Sequence, residues 1–125
     1  MANHIHILIV DDNEFVRKKI KRILSNPNRT IFEAENGQEA LNLIKTTLFD
    51  IIFLDIRLPF GVTGLDVFRE AQKLRQEKLG KVIILTGSLE DDTRATAEEL
   101  GVFAFLDKAP FDGDIIIETF NKALL

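Results

Sequence analysis

Apolar and polar positions along this chain follow two rhythms. Five short segments are mostly or wholly apolar and rich in Ile, Val and Phe: HIHILIV (4–10), TIFEA (30–34), DIIFLD (50–55), KVIILT (81–86) and VFAFLD (102–107). Runs of this length with no polar face belong to strands buried on both sides, so they predict a parallel sheet. Between them, apolar residues recur at intervals of three and four. Val16, Ile20, Ile23 and Leu24 mark a first helix, and Ala40, Leu41 and Ile44 a second. Val67, Ala71 and Leu74 mark a third, and Ile116, Phe120, Ala123 and Leu124 the last. The segment EDDTRATAEEL (90–100) is mostly polar, but Ser88 followed by Asp91 has the form of a capping box and predicts a helix there. Strand and helix thus alternate five times. The expected fold is α/β, a doubly wound sandwich with helices on both faces and right-handed crossovers. No linker, repeat or low-complexity tract breaks the pattern, and residues 1–125 are read as one domain.

Composition narrows the classes. The net charge of −4 leaves no general basic footprint, so direct nucleic-acid binding is not expected. The apolar runs are too short to span a bilayer, and nothing at the start has the form of a signal peptide. With no cysteine there is neither a disulfide nor a thiolate metal site. A soluble, cytoplasmic protein is the expectation.

In open α/β sheets, ligands sit outside the carboxyl ends of the strands. At those ends this sequence places Asp11 and Asp12, then Asp55, Thr86, and Asp107 with Lys108. Carboxylates crowded into one pocket raise each other's pKa unless a cation balances them, and an all-oxygen set suits Mg²⁺. Asp12 is the better candidate for direct ligation, with Asp11 acting directly or through water. A carboxylate is also a nucleophile toward phosphorus, and Asp55, ending the central strand opposite the acidic pair, is the candidate. Lys108 and the Thr86 hydroxyl are placed to stabilise phosphoryl oxygens. A plainer view, that one aspartate of the pair caps the first helix, explains only one of the two.

The pieces LIVDDNEFVR (8–17), IIFLDIRLP (51–59), VIILTG (82–87) and GVFAFLDKAPF (101–111), in this order and each at a strand end, resemble the receiver domain of bacterial two-component response regulators over essentially the whole length. The resemblance implies a flavodoxin-like (βα)5 fold with strand order 2-1-3-4-5. It implies that Asp55 is the phosphoacceptor, and that Asp11, Asp12 and Asp55, with the backbone carbonyl of Arg57, bind Mg²⁺. Thr86 and Phe105 would be the switch pair, and Lys108 the lysine bridging acceptor and phosphate. The implied partners are a histidine kinase or histidine phosphotransfer protein and a downstream protein target, with a monomer or a phosphorylation-dependent dimer as the assembly. The implied role is a signalling switch rather than an enzyme acting on external substrates.

Two places depart from the pattern. Lys108 is followed by Ala109 before Pro110, so the usual Lys-Pro bond is replaced. The loop glycine after Pro59 arrives one residue late, at Gly64, so FGVTG (60–64) holds an insertion. Phe15, off the apolar stripe of its helix, is expected with Leu58 and Pro110 to dock the phosphodonor. His4 and His6 are read as structural, and RKKIKR (17–22) as a solvated face. Three other readings share part of this pattern. A receiver belonging to a longer regulator or hybrid kinase has the same site. An aspartate-nucleophile phosphatase of the haloacid dehalogenase type would carry its D-x-D after the first strand, where Asp11-Asp12-Asn13 stands. A nucleotide or flavin module would show a glycine-rich loop there, and none is present.

Overall fold

The computed structural model describes residues 4–87, 90–108 and 111–125. Ser88, Ala109 and Pro110, which carry the expected capping box, the extra residue before proline and one docking contact, lie outside the described residues. The elements follow as β1 (Ile5–Val10), α1 (Glu14–Leu24), β2 (Arg29–Ala34), α2 (Gly37–Thr46), β3 (Ile51–Asp55), α3 (Gly64–Arg75), β4 (Lys81–Thr86), α4 (Asp91–Glu99), β5 (Ala104–Asp107) and α5 (Gly113–Ala123). A 3-10 turn over Gln76–Lys78, which the apolar spacing does not announce, follows α3. All strands are parallel, in the order β2-β1-β3-β4-β5. This is the predicted doubly wound, flavodoxin-like sheet.

Alternation along the central strands divides the core into two layers. Leu8, Val10, Ile52, Leu54, Val82 and Ile84 pack with Ala40, Ile44, Val67, Phe68, Ala71 and Ala97 of α2, α3 and α4. Ile7, Ile9, Ile51, Phe53, Ile83 and Leu85 pack with Ile20, Leu24, Ile116 and Phe120 of α1 and α5. Every residue of β3 is buried, so its apolar run needs no polar face. Two stripe positions were misplaced by spacing alone. Leu74 is exposed while Phe68 fills the core from α3, and Leu124 lies exposed just past the end of α5. The weak fourth helix forms over Asp91–Glu99, with Glu90 at its N-cap making no side-chain cap bond.

The loop after β3 is shaped by three local devices. Phe60 and Gly61 both take left-handed backbone angles (φ 67° and 76°), a conformation that suits the glycine and strains the phenylalanine. Thr63 and Asp66 then form a full capping box at the start of α3. Gly64 donates its N–H to the Ile56 carbonyl at 2.8 Å, and a Cβ there would stand 2.1 Å from the Asp55 carbonyl oxygen. The helix therefore seats directly against the end of β3, which only a residue without a side chain allows.

Replacing Gly64 with Ala is expected to destabilise the fold by roughly 2–3 kcal/mol, since the obstacle is the Asp55 backbone and cannot yield as a side chain would. Urea denaturation checks this: an unchanged midpoint would mean the close approach is not required.

Candidate functional site

The carboxyl ends of β1, β3, β4 and β5 meet in a cleft of about 340 Å³ lined by Asp12, Asp55, Ile56, Arg57, Thr86, Gly87 and Lys108. Asp11 continues the β1 path: its N–H donates to the Ala34 carbonyl at 3.0 Å. It is wholly buried, and its Oδ1 accepts the Asn13 N–H at 2.9 Å. Its Oδ2 is buried and meets no well-aligned hydrogen-bond donor, but the Lys108 ammonium stands 2.6 Å away as an ion pair. Helix α1 is capped by Asn13, whose side chain accepts the N–H groups of Phe15 and Val16, so neither aspartate of the pair is needed as a cap.

Asp55, 5 % exposed, accepts the Arg57 N–H on Oδ1 at 3.3 Å and holds Lys108 Nζ at 2.9 Å on Oδ2. Burial pushes its carboxyl above the ordinary value; contact with Lys108 pulls it back, and the Asp11 charge adds to the rise. For Lys108, burial works to lower the pKa, but bonding and charge from Asp11 and Asp55 together outweigh it and hold the ammonium above its usual range. The cation is thus fixed in place by two anions.

Asp12 is exposed at the rim, and one oxygen from each of Asp11, Asp12 and Asp55 lies within 4.8 Å of the others. Thr86 is buried in the wall of the same cleft, and Arg57 is exposed beside it. Phe105 is half-buried on β5 outside the cleft lining, with the Arg94 guanidinium of α4 stacked 4.4 Å over its ring. Phe15 is 85 % exposed, as its place off the stripe predicts. Leu58 is half-buried against the core and offers only part of its surface. His4 and His6 lie on β1 and its approach, at the other end of the sheet, their rings in edge contact at 5.1 Å.

Of the basic residues in the stretch 17–22, read as a solvated face, one behaves otherwise. Arg17 is largely buried; it bonds the Asp11 carbonyl at 2.7 Å and Glu33 of β2 at 3.1 Å. Lys18, Lys19, Lys21 and Arg22 are exposed as expected. The available signal was spacing, because Arg17 precedes Ile20 and Leu24 by three and seven positions and so shares their buried side.

Among the described residues no helix is long and apolar enough to cross a membrane. Residues 7–121 match the family model described as the response regulator receiver domain. The transcriptional regulatory protein ResD of Bacillus subtilis is 32 % identical over 124 residues, which are 99 % of this chain and 49 % of ResD. The chain thus spans about half the length of the curated relatives it matches. A CheY-like receiver domain protein of Methanospirillum hungatei superposes with a TM-score of 0.87 at 28 % identity, covering 96 % of this chain and 93 % of that one. A response regulator of Burkholderia pseudomallei, solved with a phosphorylated aspartic acid, calcium ion and citrate, superposes with a TM-score of 0.79 at 27 % identity, over 92 % of this chain and 65 % of that one. Sheet order, cleft and family match agree: the chain belongs to the response regulator receiver domain family of two-component signalling.

Proposed function

We propose that this chain accepts a phosphoryl group on Asp55 from a phosphohistidine of a histidine kinase or histidine phosphotransfer protein, and that the acyl phosphate shifts it between two conformations. The observation that carries this reading is Lys108, held at 2.6 Å from Asp11 and 2.9 Å from Asp55 beside an open, oxygen-lined cleft. The phosphorylated aspartic acid and calcium ion in the Burkholderia pseudomallei regulator support it.

The donor set fits a hard cation. It is made of oxygens only, and the buried Asp11 Oδ2 has no well-aligned hydrogen-bond donor. Asp11, Asp12 and Asp55, with the Arg57 backbone carbonyl, would hold Mg²⁺, which when bound offsets the negative charge of the phosphoryl oxygens. The chain's own residues do the rest. An Asp55 carboxylate oxygen attacks phosphorus in line as the P–N bond breaks, and its electron pair returns to the imidazole nitrogen. Lys108 then exchanges its contact with the carboxylate for one with a phosphoryl oxygen, and the Thr86 hydroxyl donates to another. Movement of Thr86 frees space for the Phe105 ring, which must leave the Arg94 guanidinium to turn inward. The difference in contacts between the two states is what shifts their populations.

The readout is a changed protein-binding face around α4, β5 and α5, with phosphorylation-dependent dimerisation as one form it takes, and the setting is the cytoplasm. In ResD and SrrA, transcriptional regulatory proteins about twice this length, a receiver-like segment forms part of a longer chain. An output within a longer protein would use the same switch. Phe15, with the open part of Leu58, supplies the apolar contact for the phosphodonor.

Incubation with acetyl phosphate and Mg²⁺ is expected to add one phosphoryl group by intact mass, lost with chelator and absent in Asp55→Asn. Phosphorylation of Asp55→Asn to the same extent would move the acceptor elsewhere. Phe15→Ala is expected to slow transfer from the cognate histidine donor about tenfold and leave acetyl phosphate labelling unchanged; equal effects on both would remove the docking role. A third expectation follows from the raised Asp55 carboxyl. The folded state binds its proton more tightly than the unfolded chain does, so this group's stabilising contribution is present at low pH and is lost as pH rises from the ordinary 3.8 through the raised value. At pH 7 without divalent cations, Asp55→Asn should therefore be more stable than wild type, a gain that shrinks toward pH 4. Thermal melts across that range check the sign.

A further inference from the structure

The geometry points to Arg17 as a positioning residue for the acidic loop: it is braced by Glu33 and fixes the peptide between Asp11 and Asp12, and so sets the affinity of the carboxylate cluster for a divalent cation. The inference rests on the proposed metal site. Arg17 Nη1 donates to the Asp11 carbonyl at 2.7 Å, and Nε donates to Glu33 Oε1 at 3.1 Å. Lys21 approaches the other Glu33 oxygen at 3.5 Å, so that carboxylate is held from two sides. Only 12 % of the Arg17 side chain is exposed, so these bonds are largely shielded from competing water.

The consequence lies in what is left free. Asp11 has its N–H on Ala34, its carbonyl on Arg17 and its Oδ1 on the Asn13 N–H, which leaves Oδ2 to face Lys108. Asp12 sits between two anchored groups, the Asp11 carbonyl before it and the Asn13 N–H after it. Rotating the peptide between them would break the Arg17 bond. Asp12 is itself exposed and its burial does nothing to hold it, so the backbone must aim its carboxylate. A planar guanidinium can satisfy the carbonyl and Glu33 together; an ammonium lacks that fork.

The test uses isothermal calorimetry of Mg²⁺ binding, because the chain has neither Trp nor Tyr to report by fluorescence. Arg17→Met, which keeps much of the apolar stem, is expected to bind Mg²⁺ about tenfold more weakly than wild type, with Arg17→Lys in between. In acetyl phosphate labelling, the Mg²⁺ concentration for half-maximal rate should rise by the same factor while the rate at saturating Mg²⁺ stays within about twofold. Ile23→Ala, which destabilises the same helix at its packed face, should leave the Mg²⁺ affinity unchanged. An Arg17→Met affinity equal to wild type, or one matched by Ile23→Ala, overturns the brace and leaves the metal site standing. Failure of wild type to bind Mg²⁺ overturns the site reading and the brace with it.

Discussion

One ammonium held between two buried carboxylates governs this molecule. Asp11 and Asp55 are almost completely removed from water, at 0 % and 5 % exposure, and Lys108 is the cation that touches both. Two buried anions at such range would otherwise repel each other. A single positive charge does not balance them once Asp12 is added at the rim. The cluster is left with an excess of negative charge and an open side, which suits it to the proposed uptake of a cation.

The fold exists in a form that enforces this. Parallel pairing brings the carboxyl ends of β1, β3, β4 and β5 to one edge, so residues as far apart as Asp11 and Lys108 become neighbours. Two apolar layers make the central strands rigid: every side chain of β3 up to Asp55 is buried. The loops then do finer work. Gly64 lets α3 seat against the Asp55 backbone, Asn13 caps α1 directly after the acidic pair, and Arg17 ties that pair to β2 through Glu33. Rigid strands set the distances between the charged groups, and the loop bonds set their direction.

Much of this was legible in the residue pattern. Continuous Ile, Val, Leu and Phe runs admit few alternatives to buried strands, and the polar residues closing them could only meet at the sheet edge. Asp11, Asp55 and Lys108 were therefore expected at one edge, where the structure brings them together, while the strand order followed from the family resemblance. What escaped depends on contacts that local spacing does not encode. Arg17 looked solvated because its neighbours in sequence are, and its partner Glu33 lies sixteen residues away on another strand. Leu74 and Phe68 differ by less than two helical turns, and only the packing of α3 decides which enters the core. The insertion after Pro59 was visible as a late glycine, but the left-handed Phe60 it creates, 84 % exposed beside the acidic cleft, was not.

The most direct test of the account is the melting temperature of the unphosphorylated chain as a function of Mg²⁺ concentration, for wild type and for Asp12→Asn. A ligand that binds only the folded state raises stability as RT ln(1 + [L]/Kd), so wild type should climb steadily once Mg²⁺ exceeds its dissociation constant. Asp12→Asn should climb far less, having lost one of the three carboxylate charges while keeping the buried Lys108 cluster. A flat wild-type curve, or the same rise in both proteins, would contradict the claim that the surplus negative charge at this sheet edge is a cation site.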